Sequence, residues 1–108
     1  MSKYGAKKTV IDGITFDSKA EALQYVALRI LENNGHITEL KTQVKFDLAP
    51  SVVIQGRKRP PMRYIADFVY MQDGKQVVED VKGMLTAVYK LKRHLMKSVH
   101  GIDILETK

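Results

Sequence analysis

The stretch Tyr64-Ile65-Ala66-Asp67-Phe68-Val69-Tyr70-Met71-Gln72-Asp73-Gly74-Lys75-Gln76-Val77-Val78-Glu79-Asp80-Val81-Lys82-Gly83 decides the fold. Its two halves, Tyr64 to Met71 and Gln76 to Val81, are rich in β-branched and aromatic residues, and Asp73-Gly74 accepts the positive φ angles of a two-residue hairpin turn. With that turn fixed, Gln72 is placed opposite Lys75, Val69 opposite Val78 and Asp67 opposite Asp80. Opposed residues have Cβ atoms about 5 Å apart, so the two aspartates repel unless something offsets their charge. Alternation puts Lys82 on the face of Asp80 and turns Glu79 and Val81 the other way.

Similar reasoning extends outward in both directions. Upstream, Val10-Ile11 and Ile14-Thr15-Phe16 flank Asp12-Gly13, which predicts a small hairpin over Thr9 to Phe16. Ser18 and Glu21 have capping-box spacing, and Leu23, Val26, Ala27, Ile30 and Leu31 recur at helical intervals until Asn33-Asn34-Gly35, a helix expected to pack one face on a sheet. Ile37 to Leu48 and Ser51 to Gln55 read as strands. Gly56-Arg57-Lys58-Arg59-Pro60-Pro61 reads as an exposed basic loop, because diproline continues neither helix nor central strand. Downstream, Leu85, Val88, Leu91, Leu95 and Val99 predict a second helix ending at Gly101, and Ile102, Ile104 and Leu105 a last short strand. The expected order is ββ-α-ββ-ββ-α-β, an α/β (α+β) fold in which two main helices flank a mixed central sheet.

All 108 residues fit a single domain. The absence of cysteine excludes disulfides, thiolate metal sites and a cysteine nucleophile. No apolar run approaches the roughly 20 residues needed to span a bilayer, and the start lacks the apolar core of a signal peptide, so a soluble cytoplasmic protein is expected. Eighteen Lys plus Arg against 12 Asp plus Glu give a net charge of +6, which favours a polyanionic partner. No glycine-rich phosphate loop is present, so no nucleotide cofactor is expected.

Asp67, Asp80 and Lys82 therefore cluster on one sheet face. Two carboxylates in reach of one point suit Mg²⁺ or Mn²⁺, which take oxygen ligands and keep several waters. The bland alternative is an exposed ion-pair cluster worth about 0 to 1 kcal/mol, although the apolar residues on both sides of these strands argue for burial. Glu21 admits two readings as well: helix cap, or acidic neighbour of the cluster.

These residues carry a resemblance. Asp67 on one strand, with Asp80-Val81-Lys82 as an acidic-x-Lys triplet on its hairpin partner, resembles the core of the PD-(D/E)XK nuclease superfamily of restriction-endonuclease-like fold. Phe16-Asp17-Ser18-Lys19-Ala20-Glu21 is similar to the first-helix segment that carries a further acidic ligand in many members. The order of elements looks like that of small phage-encoded nucleases, to which Holliday-junction-resolving enzymes belong. The resemblance implies a Mg²⁺- or Mn²⁺-dependent endonuclease acting on branched DNA, a homodimer, and a host cytoplasm if the protein is phage-encoded. It implies Asp67, Asp80, the Val81 carbonyl and Glu21 as metal ligands, and Lys82 as the cation that orients water and stabilises developing charge.

DNA contacts are expected from Arg57, Lys58 and Arg59. Lys90, Arg93, His94 and Lys97 form a basic stripe on the second helix, which is either a solvated face or a phosphate contact. Gln43 and Lys45 share a strand face and either reach the site or pack at an edge. Two other functions stay open: a basic nucleic-acid-binding module whose acidic cluster is structural, and a nuclease subunit of a larger complex.

Overall fold

The computed structural model describes residues 8–108. Strands β1 (Thr9–Ile11) and β2 (Ile14–Phe16) pair antiparallel around Asp12 and Gly13, whose φ angles of 53° and 77° make the expected hairpin turn. Helix α1 (Lys19–Asn33) follows, with the Ser18 hydroxyl accepting the Glu21 N–H at 3.1 Å. Only half of the capping box forms, because the Glu21 carboxylate turns away to the amide of Gln43.

The buried side of α1 is Ala22, Tyr25 and Leu28, together with Glu21. This corrects the expected apolar row: Leu23, Val26, Ala27, Ile30 and Leu31 face outward, Leu23 with 60% of its surface exposed. The helix is apolar on both sides, so periodicity does not choose between them. Tyr25 does, since its ring packs on Phe16 and Phe68 while its hydroxyl reaches Asp12 at 3.0 Å, and an aromatic buries more area than a valine.

Next come β3 (Thr38–Ala49), β4 (Val52–Ile54) and β5 (Arg57–Arg59), then β6 (Met62–Gln72) and β7 (Lys75–Val81). The expected basic loop is therefore a strand. Gln55 and Gly56, at φ 51° and 77°, turn β4 back on itself so that Val52 pairs with Arg59 and Ile54 with Arg57. The two strands form a separate sheet, all six residues exposed. The signal was hidden because glutamine, unlike asparagine or aspartate, is not a customary first residue of such a turn.

Helix α2 (Ala87–His100) is capped by Thr86 and ends at Gly101 in the left-handed region, φ 70°, where only glycine is unstrained. Its buried residues are Tyr89 and Met96, with Leu95 half-buried. Here too the expected row is corrected, since Leu85, Val88, Leu91 and Val99 are exposed, Val88 at 64%. The two large side chains at Tyr89 and Met96 win the inner position. Strand β8 (Leu105–Thr107) closes the chain's sheet, while Ile102 and Ile104 pack beneath α2 instead of joining the strand.

The main sheet has order β3-β6-β7-β8, antiparallel except for the parallel β7 and β8. One face is covered by α1 and the first hairpin through Phe16, Tyr25, Leu28, Ile37, Phe68 and Tyr70. The other is covered by α2 through Tyr64, Ala66, Val69, Val78, Tyr89 and Met96. The architecture is thus the α+β arrangement of two helices on a mixed sheet. No helix among the described residues is long and apolar enough to cross a membrane.

Candidate functional site

The cluster grows from an irregularity in β6. Ala66 packs under α2, yet Phe68, two residues on, packs under α1, although alternate residues of a regular strand share a face. The strand turns over at Asp67. Opposite it on β3, Gln43 has φ 54°, a costly conformation for a side chain of that size, and the β3 to β6 pairing passes from Thr42↔Phe68 to Val44↔Ala66 without joining Gln43 to Asp67. An irregularity of this kind re-aims a side chain.

The hairpin register is the expected one from Gln72↔Lys75 to Phe68↔Glu79. There the ladder stops, so Asp67 and Asp80 are not a regular opposed pair. Beyond that point the Asp67 carboxylate stands in for a backbone acceptor and takes the Val81 N–H at 2.8 Å. This brings Asp67 close enough to Asp80 and Glu21 for their charges to act on one another. Asp80 is 3% exposed, accepts a hydrogen bond from the Tyr64 hydroxyl, and lies 3.4 Å from the Lys82 ammonium. The Lys82 ammonium sits 4.0 Å from the centre of the Tyr89 ring, a cation–π contact that fixes its direction. Glu21, Asp67, Asp80 and Lys82 thus come together from α1, β6 and the end of β7.

Burial, and then the adjoining Asp80 carboxylate, push the Asp67 pKa up to about 8. Glu21 is raised by burial, then by Asp17 and Asp80. The Tyr64 hydroxyl is held in its protonated form by burial and by its bond to Asp80. The Asp67 carboxyl thus holds its proton more tightly than an ordinary aspartate because buried acids adjoin it. Asp67 and Asp80 offer hard oxygen donors, the type Mg²⁺ and Mn²⁺ accept. They line an open cavity of about 270 Å³ with Tyr64, Lys82, Tyr89 and Lys92. Among the described residues, no three carboxylate or imidazole side chains are spaced to enclose a metal. A Mg²⁺ site does not need three, since one or two carboxylates with waters and substrate phosphates suffice.

The other expected residues divide into three groups. Gln43 belongs to the cluster, its amide donating to Glu21 at 3.1 Å, whereas Lys45 is exposed, in register with Ile65 and without an ionic partner among the described residues. Arg57, Lys58 and Arg59 are exposed on β5, likewise unpaired. On α2, Lys90 is exposed, but Arg93 is bound to Glu106 at 3.0 Å and Lys97 to Asp103 at 2.8 Å.

Residues 1–103 match the family model described as "Protein of unknown function (DUF1064)". The chain belongs to that family. No curated protein and no solved structure matches it. Family membership therefore names no activity, and the chemistry has to come from the side chains.

Two of those were not identified from the sequence as part of the cluster. Tyr64 lies on the quoted strand, but plain alternation separates it from Asp80; only the turnover at Asp67 brings them together. Tyr89 adjoins Lys90 of the basic stripe in sequence, yet nothing in its spacing marks it as the seat of Lys82. The Tyr89 hydroxyl donates to Glu106 at 2.6 Å, which holds the Glu106 pKa below the usual carboxylate range. Glu79, set apart from the cluster by its face, is 1% exposed and accepts from Gln24 and Tyr70, each at 2.6 Å, and from Thr107 at 3.1 Å.

Proposed function

We propose that the chain is a metal-dependent DNA endonuclease of the PD-(D/E)XK type, acting on branched DNA. The observation that supports this reading is the convergence of Glu21, Asp67, Asp80 and Lys82 at a break in the sheet, where a buried carboxylate lies between a second acid and a half-buried ammonium. A structural ion-pair cluster would have matched its charges; this one holds three acids to one cation and leaves Asp67 with a proton affinity far above that of an ordinary aspartate.

Asp67 and Asp80, with the Val81 carbonyl, would hold Mg²⁺ or Mn²⁺, which supplies polarisation of the scissile phosphate and a more acidic bound water. Loss of the Asp67 proton precedes any such binding. Glu21, steadied by Gln43, keeps the inner edge of the site negative. Lys82, aimed by Tyr89 and by its pairing with Asp80, stands where it can orient the attacking water and stabilise charge developing on the phosphate. Tyr64 fixes the rotamer of Asp80 by donating to one oxygen and leaves the other facing the Lys82 ammonium.

Cutting both strands of a junction calls for two sites, and the outward apolar rows of α1 and α2 fit burial in a homodimer. A phage origin would place the enzyme in the host cytoplasm. The decisive assay incubates purified protein with labelled four-way junctions, flaps and linear duplex in Mg²⁺ or Mn²⁺. Cleavage lost in Asp80→Ala with binding retained is the expected result. Metal-independent binding with no cutting of any substrate would establish the second reading, a binding module, which the unpaired cations of β5 favour.

A further inference from the structure

The hairpin of β4 and β5 has no role in building the site. It forms a sheet of its own, its six strand residues are exposed, and its three cations have no carboxylate partner among the described residues. The whole stretch from residue 48 to residue 66 contains no Asp or Glu. One strand is apolar, with Val52, Val53 and Ile54 all exposed, Val53 at 69%; the other is Arg57-Lys58-Arg59. Such a ribbon is costly to leave in water unless it meets a partner that is both anionic and locally apolar.

We infer that this arm is a two-stranded ribbon that enters the major groove of duplex DNA and grips it at a distance from the site. The inference takes its polymer from the nuclease reading and its geometry from the arm. A major groove about 12 Å wide admits a two-stranded β-ribbon. Register places Val52, Ile54, Arg57 and Arg59 on one face and Val53 and Lys58 on the other, so each face carries both a cation for phosphate and an aliphatic group for base edges and thymine methyls. Reach agrees as well. Gln43 marks the site on β3, and eleven residues further along lies Ile54 at the arm's tip. An extended chain of that length spans up to about 36 Å, about one turn of duplex, within a molecule whose longest dimension is 52 Å. The arm therefore contacts the duplex about 5 to 10 base pairs from the phosphate that faces the Lys82 end of the site.

The chain has no native cysteine, which permits a direct test. Val53→Cys carries a tethered iron–EDTA cleaver in an Asp80→Asn background, so every cut comes from the probe. Met84→Cys, beside Lys82, carries the same probe to mark the site itself, whether or not the wild-type protein cuts any DNA. Two cut clusters offset by about 5 to 10 base pairs are expected. Coincident clusters, or no cutting from Val53→Cys while anisotropy shows the protein bound, overturn the inference. In parallel, Arg57→Gln/Lys58→Gln/Arg59→Gln should bind duplex more weakly in EDTA, lowering the slope of log affinity against log salt by about 2 to 3, with its thermal melt unchanged. Wild-type affinity in that variant overturns the inference, as does a variant whose only defect is lost self-association. Failure of cleavage in every metal with these results intact would remove the nuclease reading and leave the arm.

Discussion

Glu79 and Asp80 are adjacent on one strand and equally hidden from water, at 1% and 3% exposure, yet their surroundings are opposite in kind. Glu79 points toward α1 and accepts from three neutral donors, Gln24, Tyr70 and Thr107. Asp80 points toward α2 and has a tyrosine, a lysine and a second carboxylate around it. A buried carboxylate surrounded by donors is a finished structural joint. One placed beside another carboxylate is unfinished, and needs a proton or a cation to complete it. Burial alone does not separate the two kinds of acid; the sign of the neighbours does.

The sharpest way to break this contrast is substitution of each residue in turn. On the nuclease reading, Asp80→Ala is expected to reduce DNA cleavage on the order of 10³-fold while lowering urea stability less than Glu79→Ala does, because the lost acceptor of the Tyr64 hydroxyl is offset by removal of a repulsion. Lys82→Ala follows at roughly 10²- to 10³-fold in kcat with DNA affinity little changed, as for loss of one group that stabilises transition-state charge. Glu79→Ala should do the reverse. It strands three donors in the interior and lowers unfolding free energy by about 2 to 3 kcal/mol, with activity falling only as the folded fraction falls.

Asp67 sharpens the comparison through pH. Its pKa of about 8 in the folded chain lies above the ordinary value of 3.8. The proton is therefore bound more tightly in the folded state; the stabilising contribution is complete below about pH 4 and is lost as pH rises through about 8. Urea titrations across this range should show the decline in the wild type and a flatter profile in Asp67→Asn. On the nuclease reading metal and proton would compete for this carboxylate, so Mg²⁺ should raise the melting temperature more above pH 8 than near pH 6, and not at all in Asp67→Asn. The smallest effect is expected from Tyr64→Phe, about 1 kcal/mol or less in transition-state stabilisation, read as a modest fall in kcat with KM unchanged. An unaltered rate would show that Asp80 keeps its orientation without the hydroxyl.

Much of the scaffold is legible in the sequence. Asp12-Gly13 and Asp73-Gly74 turn where their φ angles require, Ser18 starts the first helix, Gly101 ends the second, and the register of the central hairpin follows from its turn. Three features were not legible, each for a physical reason. Both helices carry apolar residues on more than one side, so periodicity could not say which side is covered; bulk at Tyr25, Tyr89 and Met96 decides. The Gln55-Gly56 turn lacks a residue type that advertises it, and three cations obscured the strand that follows. The turnover at Asp67 is set by the strained Gln43 across the ladder, a long-range relation that neither strand shows alone. That last feature also limited the reading of the site: Asp67, Asp80 and Lys82 were placed together by alternation, but Tyr64 could not be.

The parallel pairing of β8 with β7 has a kinetic corollary. The Lys82 N–H is held by the Thr107 carbonyl at 2.7 Å, and Thr107 also completes the shell of Glu79. The central hairpin is a local structure and can form early, whereas β8 reaches β7 only after the whole of α2 has crossed the sheet, a slow, non-local closure. The backbone beside the lysine is thus tied to the most non-local pairing of the sheet. Fraying of β8 would loosen Lys82 and the shell of Glu79 together while leaving the central hairpin and its acids paired.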